Sequence, residues 1–232
     1  MSPPSPTTTS TPDPAAPTAG ASRGAARTTE DVVALSPVVP VVVLHDVEHA
    51  VPLARALLAG GVPVMEVTLR TDVGLAAIAR VRREVPGVCV GAGTVTTPAL
   101  AAAALQAGAQ FVVTPGSPAP LVDAVLGTGL PLLAGASTLT EMMTLLDRGQ
   151  RVMKFFPAAQ SGGAAYLRAV AGPLPDAVFC PTGGIDAASA PEYLALANVP
   201  CVGGSWLTPA RLLDEGDWAA VTALAAEAAG LG

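Results

Sequence analysis

The 232-residue chain is 51% hydrophobic and 13% charged, with 12 basic residues against 18 acidic ones and a formal net charge of −6. This much apolar material can bury one large core, which excludes disorder over most of the length, and the size suits one large α/β domain or two small ones. So few basic residues leave no footprint for a phosphate backbone, so nucleic acid is not an expected partner. No apolar run reaches the roughly 20 uninterrupted residues needed to span a bilayer, so no membrane association is expected. Eleven of the basic residues are arginines, and Lys154 is the only lysine. Composition alone leaves two readings of Lys154: a survivor of a codon bias that favours arginine, or a position that needs an amine able to act as a nucleophile.

Residues 1–27 are Pro, Thr, Ser, Ala and Gly with almost no large apolar side chain. They cannot offset the entropy of ordering and are expected to be a disordered tail. The segment has neither a cationic n-region nor an apolar h-region, so the expected location is the cytoplasm. Residues 28–232 read as one folded unit. A short helix over Thr29 to Leu35 precedes eight apolar runs: Val38 to Leu44, Val62 to Leu69, Val88 to Val90, Phe111 to Val113, Pro131 to Ala134, Arg151 to Phe155, Ala177 to Cys180 and Pro200 to Gly203. Stretches with helical spacing lie between them, at Glu48 to Ala59, Val73 to Val85, Pro98 to Ala107 and Thr138 to Leu146. Eight β-rich runs about 20–25 residues apart predict a single (β/α)8 TIM barrel. A doubly wound open sheet is the alternative, but no G-x-G-x-x-G follows the first run, where His45-Asp46-Val47-Glu48 stands instead.

Barrels of this kind carry their chemistry at the C-terminal ends of the strands. In the second run Glu66, Thr68 and Arg70 share one face. A carboxylate in a barrel interior is costly unless paired, and Arg70 is its obvious local partner. The third run ends in Gly91-Ala92-Gly93-Thr94, where glycine permits close approach and Thr94 offers a hydroxyl. In the sixth run Val152, Lys154 and Phe156 share a face, which places the sole lysine among apolar neighbours. The last two runs end in Pro181-Thr182-Gly183-Gly184 and Gly203-Gly204-Ser205. Paired glycine turns there, each leading into a helical segment, match the usual barrel phosphate site, with backbone amides and a helix N-terminus to hold the anion.

Other polar residues read as structural. His45 and His49 have metal-ligand spacing but no third ligand, so no metal is expected, and Asp46 is a candidate N-cap. Cys89, Cys180 and Cys201 lack C-x-x-C spacing and read as buried thiols. Trp206 and Trp218 are expected to pack in C-terminal helical segments. An amine, a carboxylate, an arginine and a phosphate cradle at one barrel mouth together suit a phosphorylated keto acid. Lysine attack on its carbonyl forms an iminium that draws electrons from a breaking C–C bond, which is aldol cleavage.

These residues resemble the Schiff-base 2-keto-3-deoxy-6-phosphogluconate (KDPG) / 4-hydroxy-2-oxoglutarate (KHG) aldolases. The resemblance runs from about Val38 to Gly216 and rests on P-V-V-P-V-V-V, E-V-T-L-R-T, G-A-G-T-V, T-P-G, M-K-F-F-P-A, C-P-T-G-G-I and G-G-S-W-L in family order. It implies a class I aldolase with Lys154 as the Schiff-base residue and Glu66 as proton shuttle. It further implies that Arg70 and Thr94 bind the keto-acid carboxylate and that Pro115 and Phe156 line the pocket. Thr182, Gly183, Gly184, Gly204 and Ser205 would contact the substrate's far end and its phosphate. No cofactor beyond the covalent Schiff base and no metal is implied; the implied partner is a small phosphorylated keto acid, and the implied assembly a homotrimer. The alternatives are a 2-dehydro-3-deoxy-6-phosphogalactonate aldolase, a phosphate-binding barrel isomerase in which Lys154 is a charge anchor, and a non-catalytic phosphosugar-binding barrel. The tail, His45-Asp46 and Ala159-Gln160-Ser161 depart from the family pattern; none of the chemical residues does.

Overall fold

Short strands alternate with helices along the chain, and every strand pairs parallel with its neighbours. The computed structural model describes Met1 and residues 28–232; the expected disordered tail lies, Met1 apart, outside the described residues. The strands are β1 (Val38–Val42), β2 (Val64–Thr68), β3 (Cys89–Gly93), β4 (Val112–Val113), β5 (Leu132–Ala136), β6 (Val152–Phe155), β7 (Val178–Pro181) and β8 (Val202–Gly204). They follow one another in sequence order from β1 to β7, with β8 on the free side of β1. A parallel bridge between Thr182 and Gly203 joins β7 to β8 and closes the ring. Sequential order plus closure is the (β/α)8 TIM barrel and excludes the open, doubly wound sheet.

The helices are α1 (Thr29–Val33), α2 (Ala50–Ala59), α3 (Gly74–Glu84), α4 (Pro98–Gln106), α5 (Ala119–Gly127), α6 (Leu139–Asp147), α7 (Gly163–Val170), α8 (Ala190–Leu194), α9 (Ala210–Glu215) and α10 (Trp218–Ala229). Local chemistry sets several of their starts. Thr28 and Asp31 form a reciprocal capping box on α1, and Thr138 with Glu141 does the same on α6. Asp46 caps the 3₁₀ turn Val47–His49 ahead of α2, accepting from the Glu48 amide at 2.8 Å, as expected. The Thr29 hydroxyl donates to the Leu132 carbonyl at 3.1 Å, which fastens α1 beneath the start of β5. Trp206 is not helical: it lies in the turn after β8, with its ring over Gly204, where a Cβ would overlap it. Among the described residues no helix is long and apolar enough to cross a membrane.

Inward-facing glycines shape the barrel's interior. Gly91 and Gly93 pair with Glu66 and Thr68 across β2–β3, and Gly135 pairs with Lys154 across β5–β6. Aligned residues on parallel neighbours project to the same face. A Cβ on Gly91 would overlap the Phe111 ring, one on Gly93 would overlap Glu66, and one on Gly135 would overlap the Pro115 main chain. At the closing seam the Thr182 side chain fills the space left by Gly203. All three cysteines are buried. A hydrogen bond with Cys180, and then burial, push the Cys201 thiol well above its ordinary range, so it stays protonated.

Gly203→Ala forces a methyl into the Thr182 side chain at the one bridge between β7 and β8. Urea denaturation is expected to show a loss of about 1–3 kcal/mol. Gly127→Ala, where a Cβ meets nothing within 4 Å, is expected to be neutral or mildly stabilising.

Candidate active site

The C-terminal end of the barrel brings together side chains far apart in sequence. Lys154 Nζ lies 3.4 Å from Glu66 Oε1, across a separation of 88 residues. Glu66 is 2% and Lys154 5% exposed. Sequence proximity favours Arg70 as the partner of Glu66, but Arg70 lies in the turn beyond β2 and is exposed, whereas barrel closure delivers the lysine. A buried carboxylate and a buried ammonium each carry a large desolvation cost, and each is the other's compensation. The lysine amine also sits 5.2 Å from the centroid of the Phe156 ring, in the turn that follows β6.

The surrounding backbone is fixed by threonines. Thr68 donates to the Val42 carbonyl at 2.9 Å and Thr71 to the Leu44 carbonyl at 2.6 Å, which tie the end of β2 to β1 beside Glu66. Thr114 accepts the Gly135 amide at 3.2 Å and is fully buried. That bond holds the Thr114-Pro115-Gly116 turn against Gly135, the register neighbour of Lys154, and leaves Pro115 half-buried. The sequence reading did not single out Thr114: a threonine before Pro-Gly looks like turn chemistry, and only the contact across two strands gives it a role.

Thr94 is the one non-glycine with positive φ among the described residues, at 57°. A β-branched residue in this region is strained by about 1–2 kcal/mol. The strain is held by the Leu69 amide donating to Gly93 at 2.8 Å and the Val95 amide donating to Val113 at 3.1 Å, on either side of it. Thr94 thus stands half-buried at the rim, its hydroxyl placed by backbone that would suit glycine better.

The two glycine turns lie at the same end. Gly183 and Gly184 have φ of 102° and 71°, which glycine alone adopts freely. The Ala158 amide donates to Thr182 at 2.8 Å and the Ala159 amide to Gly183 at 3.0 Å, so the loop after β6 lies over the turn after β7. Gly204 is buried, Thr182 is 7% exposed and Ser205 is exposed at the mouth. Among the described residues the amides of Gly184 and Ser205 donate to no acceptor. The helices that follow start only at Ala190 and Ala210 and are short, so the unengaged donors at this end are loop amides and not a helix N-terminus. His49 packs edge-on against Trp218 at 5.6 Å. Among the described residues no group of three or more His, Cys, Asp or Glu side chains is placed to hold a metal ion.

A buried amine in contact with a carboxylate at the C-terminal mouth of a (β/α)8 barrel is the equipment of a carbon–carbon lyase. Residues 29–224 match the family described as "Aldolase: KDPG and KHG aldolase". The KHG/KDPG aldolase of Escherichia coli (strain K12) is 50% identical over 199 residues, covering 86% of this chain and 93% of the relative. Among solved structures, KDPG aldolase from Legionella pneumophila, with pyruvate captured at low pH as a covalent carbinolamine intermediate, superposes with a TM-score of 0.85 at 42% identity, covering 87% of this chain and 98% of that one. The 2-keto-3-deoxy-6-phosphogluconate aldolase of Zymomonas mobilis ZM4 with 3-phosphoglycerate gives 0.83 at 44% identity, covering 89% and 97%. The chain belongs to the KDPG and KHG aldolase family.

Gly93→Ala would drive a methyl into the Glu66 carboxylate. It is expected to lower kcat about 10²-fold, the effect of a misplacement of roughly 1 Å, while far-UV circular dichroism keeps the barrel spectrum. Wild-type turnover in this variant would show that the position of Glu66 is immaterial.

Proposed function

We propose that this chain is a class I aldolase that cleaves 2-dehydro-3-deoxy-6-phosphogluconate to pyruvate and glyceraldehyde 3-phosphate, and 4-hydroxy-2-oxoglutarate to pyruvate and glyoxylate. The observation that carries the proposal is the buried contact between the chain's only lysine and Glu66. A charge anchor for phosphate needs neither burial nor a carboxylate partner; a nucleophilic amine that must exchange protons with its surroundings needs both.

In this reading the substrate's carboxylate lies against Arg70 and Thr94, and its C2 carbonyl is presented to Lys154 between Pro115 and Phe156. The unprotonated amine adds to C2. Glu66, directly or through one water, moves the protons that convert the carbinolamine to an iminium with loss of water. Glu66 then takes the proton of the C4 hydroxyl. The C3–C4 bond breaks, its electron pair passes to the iminium nitrogen as an enamine forms, and the aldehyde leaves. Protonation at C3 and addition of water release pyruvate and restore the amine. The Schiff base is the only electron sink the scheme uses, and it names no metal or organic cofactor.

Thr182 and the amides around Gly183, Gly184, Gly204 and Ser205 take the far end of the substrate, where unengaged loop amides suit a phosphate. Residues 28–232 form the catalytic unit. The family resemblance supports a homotrimer.

Incubation with pyruvate followed by borohydride reduction tests the proposal. Peptide mass analysis is expected to locate a stable adduct on Lys154, and Lys154→Arg is expected to abolish both adduct and turnover, since a guanidinium keeps the charge but cannot form the iminium. Full turnover in Lys154→Arg, or no adduct at Lys154, would overturn it.

A further inference from the structure

A recess opens at the same end of the barrel as the Lys154–Glu66 pair. It lies between the C-terminal ends of β1 and β8 and the start of α9, has a volume of about 220 Å³, and its wall includes Val41, His45, His49, Ser205, Thr208 and Asp214. Val41 is the register partner of Glu66. The two side chains therefore project to the same face, so Val41 in the recess wall is the strand neighbour of Glu66. Pro40 pairs with Gly204, so Ser205, one step along, stands level with Val41. A molecule bound at Lys154 thus has two directions open to its tail: toward the glycine turn after β7, or past Val41 and Ser205 into the recess.

Thr208 sets the chemistry of the recess. It is only 7% exposed, and its Oγ1 is the one buried side-chain oxygen or nitrogen without a hydrogen-bond partner among the described residues. Its backbone is held, with the amide donating to the Ser205 carbonyl at 3.1 Å, but its hydroxyl is committed to nothing. An unpartnered buried hydroxyl is a cost that valine, of the same shape, would remove. Rotation about χ1 can present the hydroxyl to the recess without breaking an existing bond. The wall contains no lysine or arginine and carries the Asp214 carboxylate at its exposed rim, and most of the rest is aliphatic. Such a wall disfavours an anion and suits a short, uncharged chain with a hydroxyl at its end.

We propose that this recess is a subsite for an uncharged, hydroxyl-terminated tail on the aldehyde half of the substrate, with Thr208 as the residue that recognises it. The inference rests on the Schiff-base reading above and extends it to unphosphorylated 2-keto-3-deoxy sugar acids. The covalent steps are the same: Lys154 forms the iminium with loss of water, the C4 hydroxyl gives up its proton, the C3–C4 bond breaks, and glyceraldehyde leaves in place of its phosphate. Thr208 donates to, or accepts from, the terminal hydroxyl and takes no part in the bond changes.

The test compares kcat/KM for 2-dehydro-3-deoxy-6-phosphogluconate and for its unphosphorylated counterpart in the wild-type protein, Thr208→Val and Thr208→Ser. Thr208→Val is expected to lower kcat/KM for the unphosphorylated substrate at least about 10-fold, leave the phosphorylated one unchanged, and melt no lower than wild type. Thr208→Ser is expected to stay within about threefold of wild type on both. An equal effect on the two substrates, no effect on either, or no wild-type activity on the unphosphorylated acid would overturn the proposal; an ordered water as the hydroxyl's only partner gives the second of these. Borohydride trapping of pyruvate on wild-type Lys154 separates the two levels. If trapping and cleavage of the phosphorylated substrate succeed while Thr208→Val is indifferent, only the subsite is wrong; if trapping fails, the Schiff-base reading itself is wrong.

Discussion

The contact between Lys154 and Glu66 is the constraint around which the barrel mouth is arranged. Two ionisable side chains, both almost wholly removed from water, stand 3.4 Å apart. Loss of either would leave the other as an uncompensated buried charge, which costs on the order of 3–5 kcal/mol. An aliphatic pair of similar volume would be at least as stable there, so the ion pair is better explained by chemistry than by stability. It pairs a group that can attack a carbonyl with one that can move the protons such an attack requires.

The price in space is met by glycine. Gly91, Gly93 and Gly135 occupy inward positions on β3 and β5, and a Cβ at any of them would collide with Phe111, Glu66 or the Pro115 main chain. Gly203 does the same for Thr182 at the seam where β8 meets β7. Strands that would otherwise fill a barrel with layers of Val, Ile and Leu are thinned on these faces so that long polar side chains and a loop can enter. Thr114 and Thr68 supply the complementary part. Each spends its hydroxyl on a neighbouring strand's backbone, the first on the Gly135 amide and the second on the Val42 carbonyl, and so fixes a wall of the chamber.

Most of this architecture was legible in the sequence because parallel barrel strands announce themselves as short apolar runs at regular spacing. The eight runs coincide with β1–β8 to within a few residues. Helices α5, α7, α8 and α9 were not read: each begins at or beside Gly or Pro, and α8 and α9 have only five and six residues. Lys154 and Glu66 were legible as polar residues inside apolar strands that meet with Arg70 at one barrel mouth; what was not legible is that the lysine, 88 residues away, and not the nearby Arg70, is the direct partner of the Glu66 carboxylate. The left-handed backbone at Thr94 has no sequence signal at all, because threonine disfavours it. Trp206 was expected in a helix and sits in a turn because Gly204 leaves its ring a place to lie. The orphan hydroxyl of Thr208 could be seen only once every other buried polar atom had been given its partner.

The central claim is that Glu66 moves protons for an iminium held on Lys154. Deuterium exchange into the methyl group of pyruvate, followed by NMR in D₂O without any aldehyde, isolates that step, because the methyl protons exchange only through the enamine. Wild-type protein is expected to exchange them, Lys154→Arg not at all, and Glu66→Gln at least about 10²-fold more slowly, the lower end of what a positioned acid–base group contributes, while still yielding the borohydride adduct. Exchange at the wild-type rate in Glu66→Gln, or any exchange above background in Lys154→Arg, would contradict it.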